Sequence, residues 1–254
     1  ASAIDAPHNW SFVGNPNPQQ PATMPVPRGK VVGGTSAING QVLLRGVPED
    51  YDSWAALGNN EWEFIKVLPY FRKMENDRDF GGDDFHGNEG PLPVRRYQRS
   101  DWLPINTNFY DACVGVGFPE DADQNSPDSN GVGARPLNNI DGVRMSTSLT
   151  YLSQARHRLN ITVRGNVAVR RILFDGDRAV GVEAESGGEV FTVESEEIVL
   201  CSGTIGSAQI LLLSGVGPAD HLREMGIAVV RDLPGVGENF RDHPAAYMLF
   251  RGVG

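Results

Sequence analysis

Two glycine-bearing stretches decide the fold, Val31-Val-Gly-Gly-Thr-Ser-Ala-Ile-Asn-Gly-Gln-Val42 and Glu197-Ile-Val-Leu-Cys-Ser-Gly-Thr-Ile-Gly206. Each pattern predicts a short apolar strand, a glycine turn and the start of a helix. The first amides of a helix lack internal partners, and glycines let a ligand approach the backbone closely. Both stretches therefore suit a nucleotide cofactor. The alternative is that these glycines only permit a strand to pack against the following helix.

The remaining periodicity completes an α/β pattern. Apolar residues at helical spacing predict helices over 49–57, 61–75, 101–118 and 146–158. From residue 160 the period changes to two, which predicts strands over 161–164, 168–174, 179–185 and 189–193. Asp175-Gly-Asp177 and Ser186-Gly-Gly188 are typical turns between the last three strands. We therefore expect an antiparallel meander that leads into the second glycine-bearing stretch.

Composition excludes several classes of partner. The 254 residues suffice for one large domain or two small ones, and the net charge of −10 comes without a basic stripe for nucleic acid. No apolar run approaches the ~20 residues of a membrane span. Two cysteines cannot build a disulfide framework, which favours a reducing, cytoplasmic location, and we expect the Cys201 thiol to be buried.

Known catalytic and metal motifs are absent from the sequence. The five histidines are at least 22 residues apart and no CxxC pair occurs, so we predict no metal site. Neither a G-x-S-x-G elbow nor the dinucleotide fingerprint G-x-G-x-x-G is present. From the residues alone the chain is an α/β protein with turns that suit a nucleotide.

Longer motifs carry a resemblance to a known family. Residues 28–46, which begin Arg28-Gly-Lys-Val-Val-Gly-Gly34, resemble the first signature of the glucose–methanol–choline (GMC) oxidoreductases. Residues 202–218 resemble the second signature of these FAD-dependent enzymes. Three shorter stretches also fit the family: Asp50-Tyr-Asp-Ser-Trp-Ala55, Phe85-His-Gly-Asn-Glu-Gly-Pro91 and Leu233-Pro-Gly-Val-Gly-Glu-Asn239.

The resemblance implies a fold class and a domain organisation. We expect an α/β FAD-binding domain with an antiparallel meander, formed by residues 1–94 and 160–242, plus part of an α+β substrate domain, formed by 95–159 and 243–254. The chain resembles the middle portion of such an enzyme. On this expectation the ADP-binding β-α-β unit precedes Ala1, and the catalytic histidine lies beyond Gly254, so no catalytic residue is assigned within the chain.

The resemblance also implies a cofactor site. The residues expected at FAD are Val31, Gly33, Gly34, Ser36, Asn39, Gly40, Gln41, Val42, Val169, Ser202 and Gly203. The stretch from Asn39 to Val42 would touch the isoalloxazine, and the backbone of Val169 would pair with the adenine edge. Relatives with covalently bound flavin carry a histidine where this chain has Ile38, so we expect non-covalent FAD. His243 matches a structural turn of the family.

The implied reaction transfers a hydride from the CH–OH group of an alcohol to flavin N5. The expected partners are a small-molecule alcohol, an electron acceptor (O2 or another compound) and companion segments of the same enzyme. Two alternatives stay open: a flavin-binding lyase of the hydroxynitrile-lyase type on the same scaffold, and an inactive fragment that serves as a structural module.

Overall fold

The computed structural model describes residues 6–15, 19 and 23–243. The chain divides into two compact units, Ala1–Thr162 and Val163–Gly254, and each unit is described by itself. Among the described residues, no helix has both the length and the apolar character needed to cross a membrane.

The first unit combines short strand pairs with helices. Strands β1 and β2 pair antiparallel, β3 and β4 pair parallel, and β5 and β6 pair antiparallel. The strands are β1 Phe12–Gly14, β2 Met24–Val26, β3 Glu75–Asp77, β4 Leu92–Val94, β5 Asn139–Ile140 and β6 Val143–Arg144. The helices are α1 Pro48–Ala56, α2 Phe64–Met74, α3 Pro104–Gly115 and the short α4 Ser153–Ala155, which follows a π-helical turn over Ser148–Leu152. These positions confirm the four predicted helical segments.

Helices α1 and α2 pack through an aromatic cluster. Pro48 occupies the first turn of α1, where its missing N–H costs nothing, and Asp50 Oδ2 accepts a hydrogen bond from the Val47 amide at 3.1 Å. The buried Tyr51 ring lies 5.5 Å from Trp54 and 5.6 Å from Phe71, both edge-on. This burial fixes the helix pair that follows the first glycine-bearing stretch.

The second unit contains the predicted meander. Strands β7 Ala168–Asp175, β8 Arg178–Ser186 and β9 Glu189–Glu194 form one antiparallel sheet in that order. Gly176 has a φ of 59° and Gly188 a φ of 87°, so both turns use the left-handed backbone that glycine adopts without strain. The unit continues through α5 Gly203–Leu213, β10 Val216–Gly217, α6 Ala219–Glu224 and β11 Arg231–Asp232. Strand β10 pairs parallel with β11.

A buried serine ties α5 to the meander. Ser214 follows the last turn of α5, where its Oγ donates to the Ile210 carbonyl at 2.5 Å and accepts the Ile172 amide of β7 at 2.8 Å. Gly215 then turns the chain with a φ of 82°, and a Cβ there would lie 2.3 Å from the Ala228 carbonyl oxygen. Gly215 therefore terminates α5, because its left-handed φ cannot continue the helix and because the nearby Ala228 carbonyl leaves no room for a Cβ.

Three predicted strands are wrong. Residues 31–32, 161–164 and 197–201 form no strand, although each segment contains at least two apolar residues. A strand needs a neighbour for its backbone hydrogen bonds, and none pairs with these segments within the described ranges. Val199 is 76% exposed and Cys201 is exposed, so the prediction of a buried Cys201 thiol is also wrong.

We expect Ser214→Ala to lower the free energy of unfolding by about 1–3 kcal/mol, because it leaves the buried Ile172 N–H without an acceptor. Urea denaturation of the full-length protein measures the change. Ser207→Ala, on the same helix, is the matched control. Equal stability of the two variants would show that the Ser214 bridge contributes nothing.

Candidate functional site

The first glycine-bearing stretch forms a compact loop instead of a strand and a long helix. Gly33 has a φ of 94°, and a 3-10 turn spans Gly34–Ala37. No side chain caps this turn. Thr35 Oγ1 instead accepts the Gly29 amide at 3.1 Å, and Ser36 Oγ donates to the Gly33 carbonyl at 2.5 Å. The loop thus folds back on itself through its own hydroxyl groups.

Thr147, distant in sequence, holds the beginning of this loop. The Thr147 amide donates to Ser36 Oγ at 3.1 Å, and Thr147 Oγ1 donates to the Gly33 carbonyl at 3.3 Å. Gly33 itself packs closely, since a Cβ at this position would lie 3.2 Å from the Ser148 amide nitrogen. Gly33 and Ser36 therefore have structural partners within the first unit.

The β5–β6 hairpin holds the end of the loop. Gln41 has a φ of 65°, an unusual left-handed conformation for a residue other than glycine. The Asn138 amide donates to the Gln41 carbonyl at 2.9 Å, and Asn139 Nδ2 donates to Gln41 Oε1 at 2.5 Å. Val42 forms an antiparallel bridge with Leu137. Contacts about a hundred residues away in sequence thus support the strained backbone.

Arg144 contacts the middle of the loop. Its Nη1 donates to the Asn39 carbonyl at 2.5 Å and to Asn39 Oδ1 at 2.8 Å. The Gln41 amide donates to the same Oδ1 at 3.0 Å. Sequence reasoning missed Arg144, Asn139 and Thr147, because no short-range spacing relates them to a loop so distant in the chain.

Two glycines of the loop face open space. A Cβ built on Gly34 or Gly40 meets no atom within 4 Å among the described residues. Gly34 has a φ of 56°, so its conformation alone favours glycine. Gly40 has no positive φ, so neither backbone conformation nor packing in the described structure requires a glycine there. The side chains of Val31 and Val32 are 41% and 44% exposed beside these glycines.

The site residues predicted in the second unit lie on two elements. Val169 is 40% exposed on β7, which is an edge strand of the meander and pairs with β8 on one side. Ser202 and Gly203 begin α5, where Ser202 makes no side-chain cap. Gly203 has a φ of 76° and open space around its Cβ position. An edge strand and an uncapped helix start both leave backbone groups available.

A buried ion network lies behind the end of the first signature. His86 Nδ1 lies 3.0 Å from Glu75 Oε1 and 3.2 Å from Asp77 Oδ2, and Nε2 lies 2.8 Å from Asp123 Oδ2. Burial opposes charge on the ring, but the hydrogen bonds that the ring donates to Asp123, Asp77 and Glu75 outweigh it and raise the pKa of His86 to about 11. Arg96 Nη1 lies 2.9 Å from Asp77 Oδ2 and Nη2 lies 2.5 Å from Asp123 Oδ1.

This network offers the right side chains for a metal ion but is built as ion pairs. Ligand atoms of Glu75, Asp77 and His86 lie within 4.8 Å of one another. A histidine ligand must present a lone pair to the metal. Both nitrogens of His86 instead lie at hydrogen-bond distance from carboxylates, and a pKa of about 11 favours a proton on each of them at neutral pH. Guanidinium and imidazolium groups therefore balance these acids.

The network also anchors the first signature through Arg45. Arg45 Nη2 pairs with Glu75 Oε1, and Nη1 donates to the Phe85 carbonyl at 2.8 Å. Asn125 Oδ1 accepts the Arg45 amide at 2.9 Å, while its Nδ2 donates to the Leu43 carbonyl at 3.0 Å. The segment after the loop is thus fixed to buried groups.

His243 lies at the end of the described part of the chain. Its side chain is fully exposed, and Nδ1 lies 3.1 Å from Asp242 Oδ1. Its role as a structural turn residue remains a prediction.

Comparison with known proteins identifies the family. The model of the GMC oxidoreductase family matches residues 16–245. The chain belongs to the GMC oxidoreductase family. Among GMC relatives, an uncharacterized GMC-type oxidoreductase of Rhodococcus erythropolis is 43% identical over 243 residues, covering 96% of this chain and 48% of the relative. The oxygen-dependent choline dehydrogenase of Photobacterium profundum is 41% identical over 225 residues, covering 88% and 39%.

Solved structures of the GMC fold confirm the predicted α/β class. Pyridoxine 4-oxidase from Mesorbium loti matches with a TM-score of 0.85 and 30% identity, covering 89% of this chain and 45% of that one. An FAD-dependent oxidoreductase from Chaetomium thermophilum matches with a TM-score of 0.83 and 33% identity, covering 90% and 42%. The chain therefore spans less than half the length of these GMC relatives.

We expect the stabilising effect of His86 to decrease as pH rises. The unfolded ring loses its proton near pH 6.5 and the folded ring near 11, so its contribution is complete below pH 6.5 and disappears as pH approaches 11. The stability difference between the full-length protein and its His86→Gln variant should therefore shrink between pH 7 and pH 10, by at most about 1.4 kcal/mol per pH unit. Denaturant titrations at several pH values measure this difference. Parallel pH profiles of the two proteins would contradict a charged His86.

Proposed function

We propose that this chain forms the central part of an FAD-dependent oxidoreductase that oxidises the CH–OH group of an alcohol. Membership of the GMC family supports an oxidoreductase that uses flavin. The names of two relatives contain choline and pyridoxine, and both compounds are alcohols. When bound, FAD would supply the redox chemistry by accepting a hydride from the alcohol carbon.

The observation that carries the proposal is the unexplained glycine at position 40. Neither a positive φ nor close packing accounts for this glycine. Gly115 shares both features but lies on α3, whereas Gly40 lies in the loop that matches the family signature, so we look for the reason in that loop. Close approach of a planar ring to the backbone supplies that reason. The exposed Val31 and Val32 offer apolar surface of the kind that such a ring would cover.

Hydrogen-bond donors beside Gly40 suit a ring that gains negative charge on reduction. The Gly40 amide and both hydrogens of Asn39 Nδ2 find no acceptor in the portion of the chain that the structure describes. Fixed donors of this kind stabilise developing charge without reorganising during the reaction. We therefore assign Val31, Gly33, Gly34, Ser36, Asn39, Gly40, Gln41 and Val42 to the flavin side of the site. Gly33 and Ser36 would act there by shaping the loop.

The second unit would hold the adenine side of the cofactor. Val169 lies on an edge strand, whose backbone can pair with the edge of a base without help from its side chain. Gly203 leaves open space at the start of α5, next to Ser202, where helix amides favour a phosphate. These three residues complete the proposed FAD contacts.

The other parts of the proposed reaction lie outside these residues. The catalytic histidine that accepts the hydroxyl proton is expected beyond Gly254, and O2 or another acceptor would reoxidise the flavin. A cytoplasmic location fits the two free cysteines, Cys113 and Cys201. The relatives named above are oxidoreductases, which favours alcohol oxidation over the lyase alternative.

We expect Gly40→Ala to weaken FAD binding at least tenfold, about 1.4 kcal/mol, because the added methyl would enter the space proposed for the ring. The melting temperature of the apoprotein should stay the same or rise, since the position tolerates a side chain. FAD titration and thermal melting of the full-length apoprotein measure the two effects separately.

Gly115→Ala is the matched control for this experiment, because Gly115 also has open space and no positive φ but lies on α3. FAD should bind this control as it binds the wild type. If Gly40→Ala instead bound FAD with wild-type affinity, the proposal that the flavin ring lies against Gly40 would be wrong.

We expect the flavin to be released completely when the full-length holoprotein is denatured by acid or heat. Ile38 offers no nucleophile for a covalent link, and it lies directly after the 3-10 turn of the loop. Absorbance of the supernatant after precipitation measures the released fraction. Flavin that remains with the precipitated protein would show covalent attachment at another residue.

A further inference from the structure

Arg144 is an unusually placed cation. It ends strand β6 and is half-buried, and the contacts of its guanidinium among the described residues are to carbonyl and amide oxygens, not to a carboxylate. Its Nη1 contacts only acceptors of the loop: the Asn39 carbonyl at 2.5 Å, Asn39 Oδ1 at 2.8 Å and the Ser36 carbonyl at 3.5 Å. The positive charge is therefore directed at the proposed flavin loop, and no acid within the described part of the chain pairs with it.

These contacts fix which way the Asn39 amide faces. Both groups that approach Oδ1 are donors, namely Arg144 Nη1 and the Gln41 amide, so the oxygen must face them. The NH2 group then faces away from the loop, where the described structure offers it no acceptor. A cation bound to the oxygen of an amide also polarises the amide, which strengthens its N–H groups as donors.

We propose that Arg144 is a positioning residue that directs the Asn39 NH2 group toward the flavin ring and thereby favours the reduced, negatively charged ring. The inference rests on the proposed function, since it requires FAD beside Asn39. It adds a residue outside both signatures, and this residue acts on the cofactor through Asn39. A purely structural Arg144 would hold the loop in place without any effect on the flavin potential.

The test compares the flavin reduction potential of the full-length holoprotein with that of Arg144→Met. This change removes the charge and all three donor contacts of Nη1 but keeps an unbranched side chain. The expected result is at least a tenfold decrease in the equilibrium constant for two-electron reduction, which is ~30 mV. Arg156→Met is the matched control, because Arg156 is an exposed arginine of the same unit. It should change this constant less than twofold.

A second variant tests the same idea if Arg144→Met does not fold. Asn39→Ala removes the outward NH2 group without changing charge, at an exposed position. It should lower the equilibrium constant in the same direction. Where Arg144→Met folds, a double variant adds a further check: Arg144→Met should there have less than half of its original effect on the logarithm of that constant, because its path through Asn39 is gone.

The outcomes separate this inference from the proposed function. A wild-type protein that binds no FAD would overturn the proposed function and the inference together. A protein that binds FAD, but whose potential is unchanged in Arg144→Met or in Asn39→Ala, would overturn only the role of Arg144. If the effects of Arg144→Met and Asn39→Ala on the logarithm of the reduction constant simply added in the double variant, Arg144 would not act through Asn39.

Discussion

The left-handed backbone at Gln41 is the constraint on which the candidate site depends. A residue other than glycine adopts this conformation only when its surroundings determine it, and the cost is typically ~1–3 kcal/mol. Here the surroundings are the amide of Asn138 and the side chain of Asn139, which bind the carbonyl and the side chain of Gln41. Gln41 turns the chain directly after Asn39 and Gly40, and both of these residues are exposed.

The buried ion network fixes the segment that follows the same loop, through Arg45. Taking Arg45, Glu75, Asp77, His86 and Arg96 out of water costs much of what their attraction returns, so such networks are weak sources of net stability. The ion pairs of this network instead fix the positions of the side chains that form them. Each carboxylate of the network is bound by at least one cation, and Arg45 belongs to the signature itself. The segment that leaves the loop therefore has one well-defined path.

Local signals explain which parts of the fold could be predicted from the sequence. The meander was predictable because Asp175-Gly-Asp177 and Ser186-Gly-Gly188 are turns that need no distant partner, and α5 because Gly215 ends it. The apolar runs at 161–164 and 197–201 were interpreted as strands, but apolar composition does not supply the neighbouring strand that a ladder requires. These two strand predictions are therefore wrong because strand pairing depends on residues that are distant in the sequence.

The same distinction applies to the site, and it changes how its residues should be interpreted. The resemblance indicated the loop residues, but it could not sort their roles: Gly33 has close packing partners, Gly34 has a left-handed φ, and Gly40 has neither. Nor could it indicate Arg144, whose link to Asn39 spans 105 residues. The two donors in question are the side-chain NH2 group of Asn39 and the backbone N–H of Gly40. The direction in which each of them points depends on the conformation of the loop more than on residue type. It follows that substitutions in the β5–β6 hairpin can alter the conformation of the loop, since Asn139 and Arg144 contact Gln41 and Asn39 directly.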